Sequence, residues 1–466
     1  MSLSTWVRST KRSLPLQVIQ AVVMENRKER VSNMSKGHLG RSVSIIGAAY
    51  TTLGNVMVTP EIKDYTEKEL FAQASLEAME NGGIEAKDID AYYVGMSGPN
   101  YYAKIKSAGP FYSEWAGMRD KPTLFHDEGC ATAGYGLNNA VMAVASGVYD
   151  CVLSAATNIS SCVPKPAYPP HIRGAQDTET MWAGMWTGID PGYEKPGIGG
   201  IGSVEAIIVR YAKMYGLSYK QIEEILVNYL MAQRKVALLN PKCGLVKDTY
   251  EEEAKRFGFD NVRDFLFNNK FNPPMGTLIR ARFLGAIADG ASAVIVCPTD
   301  QARKYVKNPV EVAGIALGTA LQKTFMNVPV PTDVKMFKTA YSMAGITDPY
   351  KEVEHMGIHD CPATMVMPIS ETAGYIKEGE AWKYMLENRV GFDGDKPICT
   401  SGGRTQTGHP GAPAFGVEVS EAVSQMRGEA GPRQMRNPPK TSVIWGGGSG
   451  FNIAICVLKA QEEGRL

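Results

Sequence analysis

Two stretches, VSIIGAAYT at residues 43–51 and VEVAGIALGT at residues 310–319, share a V-x-I-x-G type of pattern and decide the fold. Each is a short apolar run that indicates a buried strand. A helical pattern follows in both places, KELFAQASLEAMENGG after the first and VKMFKTAYSMAG after the second. Because self-similarity in a fixed order is typical of duplication, we expect two duplicated α/β halves.

The remainder of each half continues the parallel. A Gly-rich turn opens a small-residue helix at 128–147 (EGCATAGYGLNNAVMAVASG) and again at 407–428 (TGHPGAPAFGVEVSEAVSQMRG). Each half then ends in an apolar strand, YDCVLSAAT at 149–157 and SVIWGGGSGFNIAICVLK at 442–459. Between the halves lies an insertion rich in Pro, Gly, Met and aromatic residues that turns helical, after which the chain returns to strand at GASAVIVCP. We therefore predict an N-terminal extension at 1–40, an N-terminal half at 41–162 and 276–305, an inserted loop domain at 163–275 and a C-terminal half at 306–466.

The bulk composition excludes several classes of function. The chain has 466 residues, with 49 Lys and Arg against 48 Asp and Glu, so no global field attracts nucleic acid or an anionic membrane. No apolar run reaches the roughly 18 residues that a membrane span needs. The N-terminal stretch TKRSLPLQVIQAVVMENRKER lacks a small-residue cleavage site, so we expect no signal peptide and a cytoplasmic protein.

The cysteines are scattered along the chain. They number eight, and the sequence contains no CxxC pair and no Cys/His cluster at zinc spacing. A disulfide scaffold is not expected at this chain length and cysteine density. We expect reduced thiols that are mostly buried. No metal site is therefore predicted.

Cys130 has three open interpretations: a packed core thiol, a metal ligand or a nucleophile. It sits where a Gly-containing turn meets a helix of small apolar residues. Unpaired backbone N–H groups and the positive end of the helix dipole stabilise a thiolate at such a place. The small neighbours leave room for a substrate, which favours the nucleophile.

Other candidates lie in the second half. In GIHDCP, His359 and Cys361 are two residues apart, so in an extended segment both side chains face one cavity. His409 lies on the Gly-flanked turn GHPGAP, and GGGSG at 446–450 offers bare backbone N–H groups for an oxyanion. The alternatives are hydrogen-bonded structural histidines and a tight turn. GIGGIG at 197–202 fits GxGxxG but follows no strand, so a dinucleotide site is not expected.

Together these segments resemble the thiolase superfamily, and within it the sterol-carrier-protein-2 type. EGCATA resembles the nucleophile segment, YAKMYG with LLNP the insert, DGASAVIV the return strand, HDC the marker of the sterol-carrier branch, and GHP with the late GGG the remaining loops. The resemblance covers about residues 42–460. It implies the thiolase fold, in which two α/β halves make a five-layer αβαβα arrangement.

The resemblance also implies roles for the site residues. Cys130 would attack the carbonyl and carry the acyl group, and His409 would take the Cys130 proton. His359 would donate to the thioester oxygen, and Cys361 would shuttle the proton at the α-carbon. The backbone N–H groups of Cys130 and Gly447 would form an oxyanion hole. Coenzyme A would be a co-substrate, with no covalently bound cofactor.

The substrate prediction rests on a departure from the family pattern. Arg404 stands in GGRTQTGHP where an apolar residue is common, so it could meet a substrate carboxylate, although an ion-paired or solvated Arg is the alternative. With the aromatic-rich insert, this suggests cleavage of (S)-benzoylsuccinyl-CoA to benzoyl-CoA and succinyl-CoA in anaerobic toluene degradation. The alternatives are an acetyl-CoA acetyltransferase or 3-ketoacyl-CoA thiolase acting on simple acyl chains, and a non-catalytic acyl-CoA-binding scaffold. A homodimer core and a small zinc-ribbon/OB-fold partner subunit are further expectations from the resemblance.

Overall fold

The strands that the sequence pattern predicts form one continuous mixed sheet. The computed structural model describes residues 39–97, 107–161, 199–319, 327–448 and 452–461. Their strands are β1 (Val43–Tyr50), β2 (Ala91–Gly95), β3 (Thr123–His126), β4 (Val152–Asn158), β5 (Gly290–Pro298), β6 (Val310–Thr319), β7 (His355–Ile358), β8 (Thr441–Gly448) and β9 (Asn452–Ala460). The strand order is β3-β2-β4-β5-β1-β6-β9-β8-β7.

This order shows the duplication directly. The first five strands of the sheet come from the first half and the last four from the second, with β1 and β6 at the junction. These two strands pair antiparallel over Ser44↔Glu311 and Ile45↔Val310. Outward from the junction, β5 and β9 hold matching places, as do β4 and β8. The two halves are thus related by a local twofold and joined through a short contact between their first strands.

The glycine of the shared pattern has a physical reason. At Gly47 and at Gly314 the ladder shifts register, which marks a bulge at the same place in both halves. A Cβ on Gly47 would lie 2.0 Å from the carbonyl oxygen of Ala78, and one on Gly314 would lie 2.1 Å from that of Ala340. In each half a helix therefore crosses the first strand so closely that only glycine fits.

The helices cover both faces of the sheet. Their bounds in the described residues are α1 (Glu67–Gly82), α2 (Ala108–Ser113), α3 (Thr132–Ala145), α4 (Gly199–Met214), α5 (Tyr219–Leu239), α6 (Tyr250–Arg256), α7 (Val262–Leu266), α8 (Ala281–Leu284), α9 (Thr299–Ala302), α10 (Pro331–Ala344), α11 (Pro349–Glu352), α12 (Val366–Thr372), α13 (Ala381–Leu386) and α14 (Ala414–Arg427). Within these segments no helix combines the length and the apolar character that crossing a membrane requires.

The helices form three of the five expected layers. α3 and α14 share one apolar cluster with strands of both halves, so they form the central layer. α1 packs against the outer face of the first half through residues such as Phe71. α10 does the same for the second half through Phe337. The predicted αβαβα arrangement is therefore confirmed.

One prediction needs correction. Residues 442–459 do not form a single strand: their described residues form two antiparallel strands, β8 and β9, and the counterpart of β9 is β5, beyond the insertion. β3 was missed because TLFH is short and two of its apolar side chains are exposed. The described part of the insertion, 199–275, packs most of its apolar residues, including Ile207 and Leu226, into the cluster of the second half. The predicted domain boundaries themselves stay predictions.

The close strand–helix crossings give a stability test. We expect Gly47→Ala and Gly314→Ala each to lower the free energy of unfolding by about 1–3 kcal/mol or more, because the new methyl overlaps a backbone carbonyl that cannot move aside. Gly82→Ala is the matched control, since its Cβ would make ordinary contact 3.5 Å from Gly47. Urea unfolding checks this, and a loss of stability for Gly82→Ala as large as that for Gly47→Ala would contradict it.

Candidate active site

The turn that carries Cys130 is held by the helix that follows it. The segment Gly129–Ala131 forms one 3-10 turn before α3, with Gly129 at a φ of 58°. Thr132 accepts a hydrogen bond from the Glu128 N–H at 2.8 Å and donates one to the Gly129 carbonyl at 2.6 Å. Cys130 is therefore fixed at the amino end of a 14-residue helix, with 1 % of its surface exposed. The predicted turn-to-helix position is confirmed.

His359 enters from the second half, directly after β7. Its backbone N–H bonds the Trp445 carbonyl at 3.1 Å, and its Nδ1 lies 2.9 Å from the Gly447 carbonyl. A carbonyl only accepts, so Nδ1 carries the proton of the neutral ring and Nε2 carries the lone pair. The expected donation to a thioester oxygen needs an N–H at Nε2, which this tautomer lacks. In the resting state His359 is accordingly a proton acceptor.

His409 is held on both sides by the segment that follows the insertion. Its N–H bonds the Ala286 carbonyl at 2.7 Å, and its carbonyl accepts from the Ala288 N–H at 3.1 Å. The same turn is tied to the Cys130 helix through Ala133 N–H and the Ala412 carbonyl, 3.1 Å apart. The two Gly-rich turns of the two halves therefore meet, as the duplicated layout predicts.

The three side chains converge in one buried cluster. The Cys130 sulfur and one nitrogen from each of His359 and His409 all lie within 4.8 Å of one another. The imidazole rings are stacked, with centroids 4.9 Å apart and planes inclined by 6°. A thiol beside two imidazoles in a buried site has the arrangement of an activated nucleophile.

Burial keeps both imidazoles neutral. It lowers the pKa of His359 to about 4. It lowers the pKa of His409 well below its usual value, with further contributions from His359 and the nearby Arg404 cation. A neutral imidazole can accept the thiol proton, whereas an imidazolium cannot.

Cys361 lies close to this cluster, as shown by the contribution of Cys130 to its electrostatic environment. Burial raises the pKa of the Cys361 thiol well above its usual value, and the Cys130 and Asp360 groups raise it further. Cys361 therefore holds its proton at neutral pH. A protonated thiol suits a proton donor at a carbanion centre.

Gly447 lies beside the Cys130 turn because the late glycines leave no side chain between them. A Cβ on Gly448 would lie 2.1 Å from the Glu128 carbonyl oxygen, and one on Gly446 would lie 2.6 Å from Phe415 Cδ2. The carbonyl of Gly447 orients His359. The oxyanion role of the Cys130 and Gly447 N–H groups stays a prediction.

Arg404 does not face a substrate. Its side chain is fully buried and paired with Glu418 at 2.8 Å. The guanidinium also donates to the Gly408 carbonyl at 3.0 Å and to the Ser401 hydroxyl at 3.2 Å. The prediction that Arg404 meets a substrate carboxylate is wrong, and the ion-paired alternative holds. The reason is that the chain here winds through a π-helical turn, Gly403–Thr407, which aims the side chain inward toward α14.

Asp360 and Glu418 are functional neighbours that the sequence pattern did not reveal. The Asp360 carboxylate accepts from the Arg404 N–H, from the Thr405 hydroxyl at 2.9 Å and from the Tyr229 hydroxyl at 2.9 Å. Gly403 has a φ of 65°, and a Cβ there would meet Asp360 at 2.2 Å. Asp360 thus ties the loop of His359 and Cys361 to the turn before His409. The position of Asp360 in the sequence, between the candidates His359 and Cys361, was the one signal that could have identified it.

Comparison with known proteins identifies families and structures that are similar to this chain. Residues 333–460 match the family described as Thiolase C-terminal domain-like. Acetyl-CoA acetyltransferases of Methanothermobacter thermautotrophicus and Methanocaldococcus jannaschii are 28% and 26% identical, over 90% and 91% of this chain and 99% and 100% of theirs. Human mitochondrial 3-ketoacyl-CoA thiolase superposes with a TM-score of 0.63 at 15% identity, covering 91% of this chain and all of the other. The chain is therefore similar to thiolase-type acetyltransferases over nine-tenths of its length, and its C-terminal part matches a thiolase family.

Two further comparisons bear on the predicted substrate and partner. Benzoylsuccinyl-CoA thiolase subunit BbsB of Thauera aromatica is 27% identical, over 35% of this chain and 43% of its own length. A complex named Ltp2–ChsH2(DUF35) aldolase shares the fold, with a TM-score of 0.68 at 17% identity over 91% of this chain and 99% of the matched chain. The expectation of an acyltransferase is confirmed at the level of class.

The buried ion pair gives a second test. We expect Arg404→Met to destabilise the protein by about 3–5 kcal/mol, because it leaves the Glu418 carboxylate buried without its partner. Burial raises the pKa of Glu418, and Arg404 opposes this increase. Without Arg404 the pKa of Glu418 in the folded protein rises further, so the folded variant holds a proton on Glu418 that the unfolded chain releases. Its loss of stability is therefore larger at pH 8 than at pH 5.

The same variant reports on the histidines. Arg404 lowers the pKa of both His359 and His409, so its removal moves the acid limb of kcat/KM to higher pH. The double variant Arg404→Met with Glu418→Gln recovers part of the stability, since no lone carboxylate remains. The acid limb of its kcat/KM profile stays shifted to higher pH. Denaturant titrations and pH–rate profiles measure both effects. An unshifted limb in both variants would remove Arg404 from the electrostatics of the site.

Proposed function

We propose that this protein is a CoA-dependent thiolase that cleaves a 3-oxoacyl-CoA through an acyl-cysteine on Cys130. The observation that carries the proposal is the convergence of Cys130, His359 and His409 within 4.8 Å from three separate loops. A non-catalytic scaffold has no need of a thiol and two hydrogen-bond-accepting imidazoles in one buried cluster. The scaffold alternative is therefore disfavoured.

The first half-reaction forms the acyl-enzyme. His409 accepts the Cys130 proton as the sulfur attacks the 3-oxo carbon, and the oxyanion faces the N–H groups of Cys130 and Gly447. The bond between carbons 2 and 3 then breaks. Its electron pair goes to carbon 2 as an enolate of the leaving CoA thioester, and the Cys361 thiol protonates that carbon. The shortened acyl group stays on Cys130.

The second half-reaction returns the enzyme to its starting state. The Cys361 thiolate takes the proton of the incoming CoA thiol, whose sulfur attacks the acyl-cysteine. Cys130 leaves as a thiolate and recovers its proton from His409. Both acid/base groups regain the protonation that burial favours in the resting site, because the thiol of Cys361 and the imidazole of His409 end neutral.

A cleft beside His409 suits the phosphates of CoA. It has a volume of about 610 Å³ and is lined by Ala286, whose carbonyl holds the His409 N–H. Its charged lining side chains are four cations and two anions, namely Arg234, Lys247, Arg256, Arg282, Asp248 and Glu253. The net charge of this lining is thus +2, which attracts an anionic ligand.

A short, simple 3-oxoacyl-CoA such as acetoacetyl-CoA is the substrate that we favour. The relatives that match this chain over nine-tenths of its length are acetyl-CoA acetyltransferases. The benzoylsuccinyl-CoA proposal loses the residue on which it rested, since Arg404 is buried against Glu418. The aromatic-rich stretch at 163–198 lies outside the described residues. An aromatic dicarboxylate stays a second candidate through the partial similarity to BbsB.

Subunit assembly is also proposed. β3 is an edge strand that pairs only with β2 within the described residues, and its Leu124 and Phe125 are 44% and 38% exposed. An open edge with exposed apolar side chains favours pairing with a second copy, close to the Cys130 turn. A separate partner subunit is supported by the names of the DUF35-containing complex and of the BbsB subunit.

The dimer proposal has its own test. We expect Leu124→Lys to shift the protein from dimer to monomer, because it places a charge in the apolar contact, while Lys121→Ala outside the strand leaves the mass unchanged. Sedimentation equilibrium measures the change. A wild-type monomer, or a dimer that Leu124→Lys leaves intact, would contradict a β3 interface.

Thiolysis tests the function. With CoA present, we expect the wild type to cleave acetoacetyl-CoA and Cys130→Ser to lose at least about 10³-fold in kcat, since the hydroxyl is a far weaker nucleophile at this site. Cys151→Ser, a buried thiol in the core of the first half, is the matched control and keeps the rate. Loss of the 3-oxoacyl–Mg²⁺ absorbance measures cleavage. Equal activity of Cys130→Ser would exclude the mechanism, and a kcat/KM that is tenfold higher for benzoylsuccinyl-CoA would reverse the substrate choice.

A further inference from the structure

The cluster of Cys130, His359 and His409 has a second chemical capacity. It brings together one thiol and two imidazoles, the donor set of zinc and its soft neighbours. The residues come from positions 130, 359 and 409, so no sequence spacing reveals them as a set. The prediction of no metal site therefore rested on local spacing and overlooked this grouping.

Two nitrogen atoms of the cluster have no competing hydrogen bond within the part of the chain that the structure describes. The Nε2 atoms of His359 and His409 are buried and have no hydrogen-bond partner among the described residues. His359 gives its Nδ1–H to the Gly447 carbonyl at 2.9 Å, the kind of contact that fixes a metal-binding imidazole with its other nitrogen free. The two imidazole rings are stacked face to face, with their centroids 4.9 Å apart.

The distances are close to those of a zinc centre. With the usual zinc–sulfur and zinc–nitrogen bonds, ligand atoms of a tetrahedral ion lie about 3.4–3.6 Å apart. The three donor atoms here lie within 4.8 Å, so rotations of the side chains that shorten these separations by about 1 Å would close the site. No carboxylate belongs to the cluster, which disfavours Mg²⁺ and Ca²⁺.

We propose that Cys130, His359 and His409 form an open three-ligand site for Zn²⁺ or Cd²⁺, and that metal binding and chemistry at the Cys130 sulfur exclude each other. Binding forms the metal–sulfur bond and two metal–nitrogen bonds, and the Cys130 proton leaves to solvent. The fourth position stays open for water. The Arg404 cation nearby opposes a metal cation, so we expect weaker binding than at a structural zinc site.

Titration of the full chain, stripped with a chelator, tests the proposal. Cd²⁺ alone is the first probe, because a cadmium–thiolate bond has an ultraviolet charge-transfer band. We expect one Cd²⁺ per chain, and loss of the band in Cys130→Ser. We expect at least about tenfold weaker binding in His359→Asn and in His409→Asn. Cys361→Ser, which removes the neighbouring thiol outside the cluster, is the matched control and keeps the band.

Alkylation of the wild-type protein is a second test, and it does not depend on whether a variant folds. We expect Zn²⁺ to slow the reaction of iodoacetamide with Cys130, read by peptide mass, and prior alkylation of wild type to abolish Cd²⁺ binding. A band that survives alkylation of Cys130, or that disappears in Cys361→Ser instead, would overturn the proposal. The readouts need no turnover, so a failed metal titration leaves the thiolase proposal intact, and a failed thiolysis assay leaves this one intact.

Discussion

The site depends on backbone meeting backbone across the local twofold. The turn that holds Cys130 touches the end of β8, and a single methyl group on Gly448 would overlap the Glu128 carbonyl oxygen at 2.1 Å. Because nothing separates the two segments, the Gly447 carbonyl is free to fix the ring of His359. The nucleophile of one half and the acid/base groups of the other then lie together in one buried cluster.

Burial of charge is the second constraint. The imidazoles stay neutral because burial lowers their pKa values, while Arg404 sits nearby as a cation paired with Glu418. Asp360 accepts three hydrogen bonds from the turn before His409 and from α5. These contacts hold the two catalytic loops of the second half in register. An electrostatic frame of this kind sets which groups carry protons before any substrate arrives.

Much of this could be predicted from the sequence. The repeated strand pattern around Gly47 and Gly314 gave the duplicated halves, because the same bulge and the same helix crossing recur in both. The candidates Cys130, His359 and His409 belong to infrequent residue types, since the chain has eight Cys and six His, and they lie in or beside Gly-containing turns. The direction in which a side chain points could not be predicted. Whether Arg404 points to a cavity or to Glu418 depends on one π-helical turn, and no local pattern specifies that turn.

The same limit explains the tautomer and the metal-binding capacity. Both depend on which nitrogen of His359 faces Gly447, a matter of three-dimensional contact between segments that are 88 residues apart. Sequence spacing has no access to such contacts. Similarly, the apolar run at 442–459 does not reveal that β8 ends at Gly448 and that β9 pairs antiparallel with it.

The most direct test of the central claim is to trap the acyl group. The protein is mixed with acetyl-CoA in the absence of free CoA, quenched in acid and digested, and each cysteine peptide is weighed. The account predicts one acetyl group per chain on the peptide containing Cys130, which disappears when free CoA is added before the quench. An acetyl group on Cys361 or another cysteine, or none at all while thiolysis proceeds, would contradict it.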